Sequence, residues 1–183
     1  MEEKRQRKYF TASRIALIAI FTAIAFGVSM LEFPIFPAAS FLKIDFSFAI
    51  MLIGGFMLGP VAAEVMIIVV QSLGLLFTSS IGVGQLANFI MANCFVFLPS
   101  LVYHFKKGIG VVILSLVVSS LLQIIVALLS NRYFLFPMYG MGYDQFVALF
   151  WFILAFNAIK CAANSAITLL LYKRLKKLLN KFL

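Results

Sequence analysis

The chain has 183 residues, 64% of them hydrophobic and only 11% charged, with a mean hydropathy of +1.10. So large an apolar share excludes a soluble globular domain and requires a bilayer as solvent. The formal net charge of +9 would raise nucleic acid as a partner in a soluble protein, but here the cations gather at the ends of apolar segments, where membrane topology accounts for them.

The N-terminal "MEEKRQRKYFTASR" followed by an apolar run has the outline of a signal peptide. The run from Ile15 to Leu31 is too long for one, and it ends in Glu32 and two prolines instead of a small-residue cleavage site, so a retained first span is expected over 15–31. A helix needs about 20 apolar residues to cross the hydrocarbon core. By that measure the further spans are 46–59, 61–77, 84–103, 109–129 and 147–172. The second is short, since 14 residues at about 1.5 Å each reach roughly 21 Å. It is expected either to pack inside the bundle or to borrow part of the preceding loop, and Pro60 divides it from the third span. The fold expected is thus an all-α integral membrane protein, a single domain of six transmembrane helices.

Charge gives an independent test of that count. With six spans, both termini and the 104–108 loop share one side, and 12 of the 15 Lys and Arg residues fall there. They are Lys4, Arg5, Arg7, Lys8 and Arg14; Lys106 and Lys107; and Lys173, Arg174, Lys176, Lys177 and Lys181. Both termini are therefore expected to be cytoplasmic, in a cell membrane. The segments "FLKIDFS" (41–47), "TSSIGVG" (78–84) and "NRYFLFPMYGMGYDQ" (131–145) are read as outward-facing loops. If the first is extended, Lys43, Asp45 and Ser47 share one side of it.

Polar groups inside the bilayer are costly and point by default to function. Glu64 and Gln71 share a face of the third span, Gln85 and Asn88 a face of the fourth, and Asn157, Lys160, Cys161 and Asn164 form one stripe along the last. The plain alternative is that these groups only bind helices together. Lys160 could pair with Glu64, and Asn131 could be a helix cap. His104 adjoins Lys106 and Lys107 at the cytoplasmic edge, and the two cysteines, Cys94 and Cys161, read as packing residues. Small residues four apart, Ala12 and Ala16, Ala19 and Ala23, and Gly55 and Gly59, allow another helix to approach closely, in this chain or in a partner.

There is no Ser/His/Asp set, no HExxH, no phosphate-cradling GxxxxGK[ST] and no metal-ligand spacing, so neither catalysis nor a cofactor is expected, and any ATP-driven work requires another chain.

The strings "FPIFPAASFLKIDFS", "GGFMLGPVAA", "GVGQLANFIMANCFVFLP", "NRYFLFPMYG" and "FNAIKCAANSAITLLLYKRLKKL", in this order, resemble the substrate-binding S components of energy-coupling factor (ECF) transporters, prokaryotic importers of vitamins. The likeness covers nearly the whole chain and is greatest to riboflavin-specific members. Three positions depart from their pattern: Phe48 stands where an acid is usual, Val70-Gln71-Ser72 replaces a stretch with a basic residue, and Ala63 replaces a glycine. The resemblance implies a vitamin pocket near the outer face, a first helix whose Ala19 and Ala23 meet a membrane-embedded coupling subunit, and two cytoplasmic ATPase subunits. The candidate pocket residues are Leu42, Lys43 and Asp45, then Gln71 and Asn88, then Asn131, Tyr139, Asn157 and Lys160. Riboflavin is the first expectation for the substrate. Pantothenate, whose carboxylate would want Lys43 or Lys160, is the alternative, with pyridoxine or folate behind it and a ligand-free assembly protein as a more distant reading.

Overall fold

The computed structural model describes residues 11–77 and 82–182, with side chains through Arg174. The basic residues of the first ten positions, most of the 78–84 loop and the side chains of Lys176, Lys177 and Lys181 lie outside it.

Helix α1 spans Ala12–Ser29, three residues earlier than the apolar run suggested, because the Thr11 side chain accepts a hydrogen bond from the Arg14 amide and caps the first turn. One face, Ile18, Thr22 and Ala25, is buried; Ala12, Ala16, Ala19 and Ala23 are exposed. The chain then forms a strap. Strand β1 (Phe33–Pro34) pairs antiparallel with β2 (Lys43–Ile44), Phe33 opposite Ile44, around a single 3-10 turn at Pro37–Ala39. Lys43 Nζ and Glu32 Oε1, 2.7 Å apart at the surface, close the ribbon.

Helix α2 (Ser47–Leu58) is apolar all round, and every residue but Ile50 is buried. A helix with no polar face belongs in the centre of a bundle, which is why one this short is tolerated. It ends at Gly59, whose φ of 91° a side chain would oppose, and Pro60 at once opens α3 (Pro60–Leu75). The Arg14 guanidinium donates to the Leu58 carbonyl, so a cation of α1 satisfies the C-terminal end of α2. Gly55 meets Ser100 and Ala63, so this small-residue spacing serves packing within the chain.

Helices α4 (Val83–Phe105) and α5 (Ile109–Met138) each contain one widened π turn, Asn93–Phe97 and Asn131–Leu135. The cause is the same in both. Pro99 and Pro137 have no amide hydrogen to give, and the ring would collide with the carbonyl four residues back in a regular helix. Each π turn starts at an asparagine whose side-chain nitrogen donates to the carbonyl four residues earlier, Asn93 to Phe89 (3.0 Å) and Asn131 to Ala127 (2.8 Å). The helix therefore loosens and passes the proline instead of stopping. As a result the expected 131–145 loop is largely helical, and only Tyr139 to Gly142 link α5 to α6 (Tyr143–Phe182).

Four of these helices, α1, α4, α5 and α6, are long and apolar enough to cross a membrane, while α2 and α3 are shorter apolar helices. One apolar cluster joins α1 to α6 around Phe56, Tyr103 and Tyr172, the two tyrosine hydroxyls lying 3.1 Å apart. A second packs Leu42 and Ile44 of the strap against Phe136 of α5 and Phe146, Ile153 and Phe156 of α6.

Candidate ligand-binding site

Between these two clusters lies a cavity of about 250 Å3. It sits at the end of the bundle where α2 and α6 begin, α3 ends and α4 starts. Apolar groups such as Leu42, Val70 and Met91 and rings such as Phe41, Phe77 and Phe156 form much of its wall. Polar groups make up about as much of the wall, so the cavity offers a small organic ligand both contact surface and hydrogen-bond partners.

All nine residues singled out from the sequence line this cavity: Leu42, Lys43 and Asp45; Gln71 and Asn88; Asn131 and Tyr139; Asn157 and Lys160. Ala19 and Ala23 do not, being exposed on α1. Ser29, Glu32 and Gln85 also line it and are not among the pocket residues expected from the sequence, although the shared face of Gln85 and Asn88 on α4 was a signal for the last of them.

The polar floor is built around Asp45. One carboxylate oxygen accepts from the Ser47 amide (2.9 Å) and from the Ser47 hydroxyl, an Asx turn that starts α2. The other accepts from Lys160 Nζ at 2.9 Å, and Lys160 also donates to Asn88 Oδ1 at 2.9 Å. The ammonium lies 4.5 Å from the centroid of the Phe48 ring. Asn164 fastens α6 to the same corner, donating to the Asp45 carbonyl (3.1 Å) and accepting from the Ala49 amide (3.0 Å), which it shares with the Phe46 carbonyl (3.2 Å) in the first turn of α2. Burial alone would raise the Asp45 carboxyl, but the Lys160 ammonium and the Ser47 donors outweigh it and hold the group below its ordinary 3.8.

Several expectations change here. Lys160 pairs with Asp45 and not with Glu64, which belongs to the second turn of α3, near the opposite end of the bundle. Lys43, Asp45 and Ser47 all reach the cavity, but only Lys43–Ile44 is extended, so Lys43 stays at the surface beside Glu32 while Asp45 and Ser47 are buried. Phe48, at the first departure from the riboflavin pattern, stands behind the ion pair as its aromatic backing and does not line the cavity. Asn131 is no cap, since the helix continues through it.

The far wall comes from α5. Ala127, Asn131, Leu135 and Tyr139, each four residues from the last, all reach the cavity. In a regular helix a row with that spacing drifts around the axis; the π turn at Asn131–Leu135 offsets the drift and keeps the row on one wall. Asn131 and Asn157 each give one amide hydrogen to the carbonyl four residues back, Ala127 at 2.8 Å and Ile153 at 2.9 Å. Each keeps a second amide hydrogen and at least one oxygen lone pair for other partners.

Among the described residues, the charges lining the cavity are Glu32, Lys43, Asp45 and Lys160, two acids and two bases, joined as two ion pairs. The lining is therefore neutral, with its cations already engaged.

The family model of the ECF transporter substrate-specific component matches residues 13–172. The Riboflavin transporter RibU of Staphylococcus aureus (strain TCH60) is 30% identical over 188 residues, covering 99% of this chain and 100% of that protein. A protein of the same name from Streptococcus thermophilus is 29% identical over 191 residues, covering 96% of this chain and 89% of its own length. A chain from the solved "Structure and mechanism of the S component of a bacterial ECF transporter" superposes with a TM-score of 0.81 at 32% identity, over 91% of this chain and 97% of that one. With a matching family model, matching fold and four membrane-length apolar helices, the chain belongs to the substrate-specific components of ECF transporters and is a multi-pass membrane protein.

Proposed function

We propose that this S component binds riboflavin in the cavity between the strap and helices α3 to α6, and delivers it inward with a separate membrane-embedded subunit driven by two ATPase subunits. The observation that carries the reading is the charge balance of a cavity with rings in its wall: among the described residues both lining cations are paired with acids, and the other polar side chains are uncharged amides and hydroxyls. A flat, uncharged heteroaromatic ring with hydroxyls suits such a lining. Pantothenate would bring a carboxylate to a site whose ammonium groups are taken. The names of the curated relatives agree with this choice.

In this reading Phe41, Phe77 and Tyr139 offer ring surface, Asn131 and Asn157 hydrogen bonds, and Gln71 and Asn88 the polar groups of the opposite wall. Lys43 and Leu42 form the lip, and Asp45 with Lys160 the floor. All six helices cross the plasma membrane of a prokaryote with both termini cytoplasmic. Arg14 near the start of α1, Lys106 and Lys107 after α4, and Lys173 and Arg174 in the C-terminal third of α6 are all absent from the cavity lining, and they support that orientation, with the cavity outward.

Riboflavin fluorescence is quenched when the ring stacks on aromatic side chains, so a quenching titration of the purified chain tests binding directly. A thermal-shift panel of B vitamins tests choice: riboflavin at 100 times its dissociation constant should stabilise the protein by about 2.7 kcal/mol. A shift with pantothenate and none with riboflavin would overturn the proposal. Asn131→Ala should weaken riboflavin binding by about tenfold, the loss of one well-placed hydrogen bond.

A further inference from the structure

Behind the cavity wall, in the apolar run "SLLQIIVALLS" of α5, stands Gln123, wholly buried and not part of the lining. Its amide nitrogen donates to Asn157 Oδ1 at 3.3 Å, while its own Oε1 has no hydrogen-bond partner among the described residues. An orphaned acceptor in a buried position is a standing cost that a leucine there would avoid. Packing therefore does not explain the residue, whereas its contact with a cavity-lining amide does.

The Asn157 amide is held at both ends. Ile153 O takes one hydrogen of Nδ2 at 2.9 Å, and Gln123 occupies one lone pair of Oδ1 at 3.3 Å. The χ2 torsion of an asparagine is soft, so one contact leaves the plane of the amide free to swing and two contacts fix it. What remains of Asn157 is one N–H and one lone pair, side by side, at a residue that lines the cavity. We infer that Gln123 is a positioning residue for ligand binding, which never touches the vitamin but sets the amide plane of Asn157 so that its free donor and acceptor meet a donor–acceptor edge of a heteroaromatic ring. This rests on the riboflavin reading above and names the device by which the site would orient such an edge.

The test is a double-mutant cycle on the purified chain, with riboflavin dissociation constants from fluorescence quenching and thermal midpoints without ligand. Gln123→Leu, with Gln123→Met as a second uncharged variant, should raise the dissociation constant by about tenfold. The ligand-free midpoint should stay level or rise, because the orphaned acceptor is gone. In an Asn157→Ala background the same substitution should change the dissociation constant by less than about twofold, since it acts only through that amide. A lowered midpoint with a loss of affinity that persists in the Asn157→Ala background would make Gln123 merely structural and overturn the inference. Wild-type affinity in both Gln123 variants would overturn it while leaving the riboflavin reading intact. A wild-type chain that does not bind riboflavin would overturn both.

Discussion

Lys160 Nζ lies 2.9 Å from Asp45 Oδ2, with the two side chains only 2% and 3% exposed. This contact joins the last helix to Asp45, two residues ahead of α2, across 115 positions of sequence. Removing two charges from water is expensive, and a buried pair repays that cost only when further hydrogen bonds complete it. Here Ser47, Asn88 and the Phe48 ring do so.

Breaking the pair from one side should therefore be worse than replacing it. Asp45→Asn or Lys160→Met alone leaves an uncompensated buried charge and should destabilise by about 3–5 kcal/mol, whereas the double replacement should recover much of the loss. Thermal unfolding of the four proteins in one detergent measures this. Single variants as stable as wild type would mean that the pair is open to water.

The same pair sets a pH dependence. The Asp45 carboxyl is held below its ordinary 3.8, so its contribution to stability is whole above that value and is lost as pH falls through the depressed folded value. The difference in thermal midpoint between wild type and the double replacement should be flat from pH 8 to about pH 5 and shrink only in stronger acid. A difference that collapses between pH 7 and 5 would refute the assignment.

Gly55 makes a sharper packing prediction. A Cβ there would run into Ser100 Oγ and come within 2.9 Å of Ser100 Cβ and 3.0 Å of Ala63 Cβ. Ser100 is itself fixed by its bond to the Val96 carbonyl at 2.7 Å, so it has little room to yield. Gly55→Ala should cost about 1–3 kcal/mol as overpacking, read as a lowered thermal midpoint with riboflavin affinity retained in the protein that remains folded. An unchanged midpoint would show that α2 and α4 can part without penalty.

What could be read from the sequence follows from which signals are local. The apolar runs bounded by charge or proline located every long helix, and the polar stripe Asn157, Lys160 and Asn164 lies on the inner face of α6, as its spacing required. The end of α5 was not legible, because Pro137 reads as a breaker while the Asn131 π turn absorbs it. The burial of Asp45 was missed because alternation was applied to a segment in which only Lys43–Ile44 is extended and Ser47 already begins a helix. Its partner is equally remote from any local pattern. Gln123 escaped because a single amide in an apolar run has no periodic companion to mark its face. Its presence in an expected span was the signal available.

The two small-residue spacings, indistinguishable in sequence, separate in space. Gly55 is enclosed, while Ala12, Ala16, Ala19 and Ala23 form an exposed file on α1, and Gly27 on the same helix has nothing within 4 Å of where a Cβ would be. Small residues four apart let helix backbones approach closely, and larger side chains hold them apart. Ala19→Leu with Ala23→Leu should therefore leave the isolated chain's stability within about 0.5 kcal/mol of wild type, read as a nearly unchanged thermal midpoint, since exposed substitutions rarely do more. Riboflavin affinity should also be unchanged, because neither alanine reaches the cavity. Assembly with the membrane-embedded coupling subunit should fall sharply, measured by co-purification of the two subunits from one membrane. If the doubly substituted chain co-purifies as wild type does, this face of α1 meets only lipid.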